Sequence, residues 1–511
     1  MKVNNTQTLL PLPLKLLILA ISLLLICPFL YVILRTYTVG IERSIELLWR
    51  PRMWELLSNT LILVFSVTIL AMTIGVFCAF CLERYHFWGK SFFSVSMALP
   101  LCIPAFVSCF TWISLTFRVE GVFGAIMIMT LNSFPLTYLP VSATLKRLDR
   151  SLEDISFSLG KSKIYTFVHV LLPQLKPALG SSLLLIALHM LIEFGAVSIL
   201  NYPTFTTAIF QEYEMSFNNN VAALLSAVLM VICIFIVFGE IKLRGQNKLY
   251  RSGKGVIRSY QPITLPLYKQ IPIILFFLLL FILSIGIPFI MLIYWLIIGN
   301  SKGNIQDYSA FFEAFLNSTI ISALGATMTV IGALPLVWAA VRYRTCLSIW
   351  IDRLPYILHA VPGIIIALSL TYFTINYAYP FYQTFIVIVI AYFMLYLPMA
   401  QTTLRSALEQ IPVDVEKIGQ SLGRSPFYIF RTLTIPAMLP GIAAAFALVF
   451  LNLMKELTAT LLLTPNDIKT LSIAVWEYTS DAQYAAATPY ATMLVFFSAI
   501  PVFLLKKYAF K

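Results

Sequence analysis

Apolar stretches of about 20 residues recur along the whole chain, each long enough to cross a hydrocarbon layer about 30 Å thick as a helix. About twelve spans are expected, over 14–34, 57–81, 93–115, 124–144, 180–200, 221–240, 271–297, 317–341, 354–375, 382–400, 440–463 and 485–505. The runs are continuously apolar, whereas the strands of a membrane barrel are about 10 residues long and alternate in polarity. Helices also satisfy every backbone polar group within the segment. Composition agrees: 60% of the 511 residues are hydrophobic and 11% charged, too little polar surface to cover a water-soluble globule of this size. The expected fold class is an all-α integral membrane protein.

With the N-terminus inside, twelve spans place about 27 of the 35 Lys and Arg at cytoplasmic ends or loops, as the positive-inside rule requires. Both termini are then cytoplasmic. The first span has a basic flank at Lys15 but ends in Tyr31-Val32-Ile33-Leu34-Arg35, without the small residues of a cleavage site, and is expected to persist as a helix. The net charge of +13 suits anionic headgroups and cytoplasmic partners rather than nucleic acid, because the positive residues lie beside the membrane. All seven cysteines fall in or next to expected spans, so no disulfide framework is implied. Cys78 and Cys81 form a C-x-x-C spacing that reads as core packing.

The least apolar cytoplasmic segment, 241–270, carries seven basic residues and no acid and reads as a linker. It divides the chain into halves, 1–240 and 271–511, which show the same landmarks in the same order. Asn59-Thr60 and Asn317-Ser318 are 258 positions apart, as are Arg84-Tyr85 and Arg342-Tyr343, Pro104 and Pro362, and Tyr138-Leu139-Pro140 and Tyr396-Leu397-Pro398. Four matches at one offset make the halves repeats. With six spans each, they enter the membrane in the same orientation, a parallel arrangement that puts a pathway at their interface.

The loops after the fourth and tenth spans are long and amphipathic. After a shift to offset 263 they align as LEDISFSLGKSKIYTFVHVLLP (152–173) and VEKIGQSLGRSPFYIFRTLTIP (415–436). In both, Ser-Leu-Gly is followed by Pro 13 residues after the Gly: Gly160 to Pro173 and Gly423 to Pro436. Each copy is expected to form a helix, a turn and a second helix. Ser151 and Asp414 are candidate caps, with Asp154 returning the first cap's bond. Ile155 with Leu159, and Ile418 with Leu422, lie four apart on one face. Gly160 and Gly423 suit the left-handed position that ends a helix, and Pro173 and Pro436 the start of the next element. A short cytoplasmic helix with an apolar stripe needs a partner to cover it.

This arrangement resembles the cytoplasmic loop of permeases in binding-protein-dependent ATP-driven importers, whose pattern begins Glu-Ala-Ala and continues to a Gly and a later Leu-Pro. The resemblance covers roughly residues 55–505. It implies the type I permease fold of ABC importers, in which each loop forms a coupling helix seated in a groove of a separate ATPase subunit. It therefore implies two ATPase copies per chain, a periplasmic substrate-binding protein, and a bacterial inner membrane location. The coupling residues it points to are Glu153, Asp154, Leu159, Gly160 and Pro173, and Glu416, Leu422, Gly423 and Pro436. The family's usual Glu is replaced by Asp154 and Lys417, and its Ala pair by Ile155-Ser156 and Ile418-Gly419.

No G-x-x-x-x-G-K-[ST] loop occurs; Ser252-Gly253-Lys254-Gly255 lacks its leading Gly and Ser/Thr. ATP is thus expected to be used by partner subunits, with no cofactor on this chain and no catalysis by it. G-x-S-x-G and H-E-x-x-H are absent too, and His86, His169, His189 and His359 are scattered, so no metal constellation is marked. Charges within spans are costly and point to function. His189 and Glu193 lie four apart late in the fifth span, and Lys455 and Glu456 occupy the matching region of the eleventh. Glu193, Glu456 and His189 are candidate pathway residues, positioned to meet a cationic substrate; an ion pair between Glu456 and a neighbour is the simpler alternative.

The segments 193–213 and 456–481 look like the corresponding regions of fused ferric-iron permeases, so ferric iron is the expected substrate. Fused permeases also serve thiamine, phosphonate and sugar-phosphate importers, and those substrates stay open. The alternative of another class is a secondary transporter of the major facilitator type, also twelve spans in two parallel halves. Its Gly and Asp-Arg signature is missing from Glu83-Arg84-Tyr85-His86-Phe87-Trp88-Gly89-Lys90, and it has no counterpart of the paired loops.

Overall fold

The computed structural model describes residues 11–148, 151–244, 262–301, 308–343, 354–355, 357–358 and 361–509. His359 and most of the 241–270 linker lie outside them. Helices appear in each expected region, in the expected order. Among the described residues, nine are long and apolar enough to cross a membrane: Leu12–Val39, Pro51–Arg84, Val122–Arg147, Lys163–Ile192, Asn219–Gly239, Leu267–Gly299, Tyr308–Arg342, Phe385–Glu409 and Phe427–Met454. Two shorter apolar helices, Gly363–Tyr377 and Tyr484–Ile500, hold the ninth and twelfth places. Long apolar side chains point outward, as on Leu19, Leu23, Ile290 and Ile331, a surface that suits lipid.

Three expected spans are not straight. The third consists of Lys90–Cys102 and Ala105–Leu115, which meet at 95°. Pro104, without an N–H to continue the ladder, stands in extended conformation at the bend and starts the second piece. The buried Asn132 amide donates to the freed carbonyls of Pro100 and Ile103, at 3.4 and 2.9 Å, replacing the bonds that water cannot supply there. The fifth span, expected through residue 200, stops at Ile192 and resumes as Gly195–Ile199. The eleventh stops at Met454 and resumes as Thr458–Leu463.

Local bonds explain why the halves share their landmarks. The Asn59 amide donates to the Pro203 carbonyl at 3.1 Å, and Asn317 to Lys469 at 3.2 Å. The hydroxyl beside each asparagine accepts the next backbone N–H: Thr60 from Phe205 and Ser318 from Leu471. Each half thus pins the extended segment ahead of a ten-residue helix, Phe205–Glu214 or Leu471–Ser480. Pro104 and Pro362 take nearly the same backbone angles at the starts of Ala105–Leu115 and Gly363–Tyr377. One two-residue parallel ladder, Tyr85–His86 with Ile263–Thr264, joins the far end of the linker to the first half. Cys78 and Cys81 are both buried and unbridged.

Candidate coupling and pathway sites

The loops at 151–173 and 414–436 fold alike. In the first, Ser151–Ser158 turns at Gly160 into Lys163–Thr166, then a π-helical turn, Phe167–Leu171, then Leu172–Ile192. In the second, Val413–Ser421 turns at Gly423 into Pro426–Ile429, the π-helical turn Phe430–Thr434, and Ile435–Met454. Gly160 and Gly423 hold φ of +77° and +74°, the left-handed region where a Cβ is strained. The N–H of Gly160 donates to the Phe157 carbonyl and that of Lys161 to Ser156; Gly423 and Arg424 repeat this on Gln420 and Gly419. Ser162 and Ser425 then cap the next helix by accepting the N–H of Tyr165 and Tyr428. Lys161 and Arg424 each sit 5.0 Å over the tyrosine ring of their own copy.

Two expectations about these loops change. Asp414 is not a cap: Pro412 holds that position without a side-chain bond, and Asp414 pairs with Lys417 at 3.2 Å. Ser151 is the first residue of its helix and borders residues 149–150, outside the described ones. Pro173 and Pro436 do sit at the second residue of Leu172–Ile192 and Ile435–Met454, but helical chain already begins at Lys163 and Pro426. Each proline stands two residues past the end of a π-helical turn, as Pro288 does after Ile282–Gly286. A proline ring collides with the carbonyl four residues back, and a wider turn makes room for it.

The outer face of each short helix is apolar and uncovered. Leu159 and Leu422 are 71% and 74% exposed, and Ile155 and Ile418 are exposed beside them. The inner face is held by charge. Arg84, at the end of the second span, forms a buried ion pair with Glu153. Arg342, at the end of the eighth, donates through Nε to both Glu416 oxygens at 3.0 and 3.1 Å, and through Nη2 to the Ile411 carbonyl at 3.2 Å. Thr434 adds a hydroxyl to Glu416 at 3.2 Å. Neither arginine stood out in the sequence except as a repeat landmark. Asp154 and Lys417, at the family's usual Glu position, carry opposite charges at equivalent places on the two helices.

Glu193 and Glu456 both stand where a span breaks. Glu193 Oε1 accepts the N–H of Ala196 at 3.0 Å; Glu456 accepts those of Ala459 and Thr460, also at 3.0 Å, and the Thr460 hydroxyl at 2.6 Å. Their own carbonyls each take a hydroxyl at 2.8 Å, from Thr206 and Ser472. The carboxylates therefore start the short helices that follow. His189 Nε2 lies 3.9 Å from Glu193 and is about one-third exposed.

The same region joins the halves. A Cβ on Gly195 would lie 2.6 Å from Leu457 Cδ2 of the second half, and Phe210 meets Trp476 with ring centroids 5.8 Å apart. Lys455 Nζ reaches the Leu101 carbonyl in the bend of the third span at 3.5 Å. Residues 189 and 192 are His and Ile, whereas their repeat partners at 452 and 455 are Asn and Lys, so the two halves present different side chains at the junction. Among the described residues no three His, Cys, Asp or Glu side chains converge as a metal site.

Residues 71–241 and 332–509 both match the family described as binding-protein-dependent transport system inner membrane component. The chain belongs to this family of permeases. It is 73% identical over 501 residues, 98% of its length and 99% of the relative's, to the Fe(3+)-transport system permease protein FbpB 2 of Haemophilus influenzae. It is 22% identical over 502 residues, 90% of its length and 72% of the relative's, to the ferric transport system permease protein FbpB of Actinobacillus pleuropneumoniae. It is also similar, at 29% over 212 residues, 37% of its length and 74% of the relative's, to a probable sulfate transport system permease protein of Chlorokybus atmophyticus. This permease is a multi-pass inner-membrane component, and its system implies ATPase and binding-protein partners. Each matched stretch contains one exposed loop and one capping glutamate.

Proposed function

We infer that the chain carries ferric iron across the inner membrane as the two-halved permease of an ATP-driven importer. The observation that carries the substrate is the 73% identity over 98% of the chain to a permease named for Fe(3+) transport. The machinery rests on the pair of matching loops, each with an uncovered leucine and isoleucine that an ATPase groove would bury. Two ATPase copies dock, one per loop, on Leu159 and Gly160 in the first and Leu422 and Gly423 in the second. Glu153 and Glu416 hold the docking helices from within, and Pro173 and Pro436 set the path into spans five and eleven.

Halves 1–240 and 271–511, joined by 241–270, enclose the pathway, and both termini face the cytoplasm. A binding protein delivers the ion from the periplasm to the junction bordered by His189, Glu193 and Glu456. Closure of the ATPases on ATP opens that junction outward, and hydrolysis returns it inward. The loaded binding protein and ATP bias these two states through their different affinities for each. The test is uptake of radiolabelled ferric iron into proteoliposomes holding the permease with its ATPase. Uptake should require ATP inside the site of hydrolysis and iron-loaded binding protein outside; uptake of sulfate or a phosphonate in its place would move the substrate reading.

A further inference from the structure

We propose that the ion pairs Arg84–Glu153 and Arg342–Glu416 are the links that carry ATPase movement from the exposed helices into spans two and eight. The inference rests on the importer reading above. Each exposed helix is eight or nine residues long and is followed by a glycine turn with nothing within 4 Å of the glycine's missing Cβ. Tied only to its own loop, by its chain ends and by bonds such as Ser156 with Thr166 at 2.8 Å, such a helix would pivot with that loop when a partner pushed on its outer face. A third fixing point, off the local chain, turns a pivot into a lever.

The ion pairs supply that point. Their partners are 69 and 74 residues apart in sequence, yet both pairs join the inner face of the short helix to the last residue of a long membrane helix, Pro51–Arg84 or Tyr308–Arg342. The Arg342 fork also holds the Ile411 carbonyl, just ahead of the second short helix, so that approach to the helix is fixed as well. All four charged side chains are nearly shielded from solvent. Burying such charges carries a desolvation cost that apolar side chains of the same size avoid, so stability alone does not call for them. What a planar guanidinium against a carboxylate supplies is fixed direction. The first link has a further attachment, because Tyr85, next to Arg84, pairs with Ile263 of the linker. Arg84 and Arg342 are thus positioning residues for coupling and touch neither substrate nor ATP.

The experiment uses the full permease with its ATPase and binding protein in proteoliposomes, comparing wild type, Arg342→Met, Glu416→Gln, and the exchange Arg342→Glu/Glu416→Arg. ATPase co-purification, ATP hydrolysis and ferric-iron uptake are read on the same samples. The single variants should keep their ATPase and go on hydrolysing ATP, while iron moved per ATP falls about tenfold or more, within the usual range for coupled sites. The exchange should recover a large part of that ratio. Single variants with an unchanged ratio would overturn the proposal, and so would loss of the ATPase itself, which would make the pairs a docking or folding device. A wild type that hydrolyses ATP without moving iron would instead count against the importer reading.

Discussion

Glu193 and Glu456 each accept the backbone N–H of the residue three positions on, Ala196 and Ala459, at the same distance of 3.0 Å. A helix that begins inside a membrane protein has N–H groups with no water to satisfy them. The two carboxylates meet that need and place negative charge beside the junction of the halves. Each carboxylate thus has a structural role, and the choice of substitution separates it from the transport role proposed above.

Glutamine keeps an acceptor oxygen and removes the charge, whereas alanine removes both. Glu456→Ala should lower stability by about 1–2 kcal/mol, the cost of losing a helix cap, and Glu456→Gln by much less, as followed by thermal unfolding in detergent. If the charges meet the ion, Glu193→Gln/Glu456→Gln will lose uptake at normal protein level and normal unfolding temperature. Unchanged uptake in that double variant would confine both residues to capping.

Leu159 and Leu422, the residues that directly follow the short helices, are both largely exposed. Covering a leucine contributes about 1.5–3 kcal/mol, so Leu159→Ser or Leu422→Ser should weaken ATPase binding about tenfold or more. The permease itself should fold as before, because neither side chain packs inside it. Titration of the purified ATPase against the reconstituted permease measures the change.

At Gly160 and Gly423 there is open space around a Cβ but a positive φ. Gly160→Ala should therefore act through backbone strain alone, about 1–2 kcal/mol. Gly160→Asn should cost less, since asparagine tolerates that conformation. Comparing ATPase affinity for the two variants tests the ordering; equal losses would mean that bulk, and not conformation, is what the turn excludes.

Gly195 packs against the second half, with Leu457 Cδ2 2.6 Å from where a Cβ would stand. Gly195→Val forces those side chains apart, an overpacking cost of about 1–3 kcal/mol. Lower uptake with ATPase binding retained is the expected result, read as initial rates in proteoliposomes.

What could be read in advance follows from which signals are local. The spans were legible because continuous apolar runs have one solution in lipid, and the loops because their Gly-to-Pro spacing occurs twice. The bend at Pro104 was hidden because its compensation comes from Asn132, 28 residues away. The breaks at Glu193 and Glu456 were hidden because apolar runs resume on both sides of them, and the charges there, Glu193 and Lys455-Glu456, read as pathway groups rather than helix ends. Arg84 and Arg342 were seen as landmarks at offset 258, while Glu153 and Glu416 belong to offset 263, so no single alignment put them together. The intervening helix runs seven residues past Pro140 to Arg147 but eleven past Pro398 to Glu409. Most of that shift is thus one extra helical turn, and the ion pair forms in both halves despite it.

The most direct test of the central claim is the energy source for uptake, measured in proteoliposomes with ATP and ion gradients supplied separately. The account predicts ferric-iron uptake that needs ATP and loaded binding protein, ignores an ion gradient, and disappears in Leu159→Ser/Leu422→Ser as the two ATPase copies are lost. Uptake driven by a gradient without ATP, and unaffected by that double variant, would contradict it.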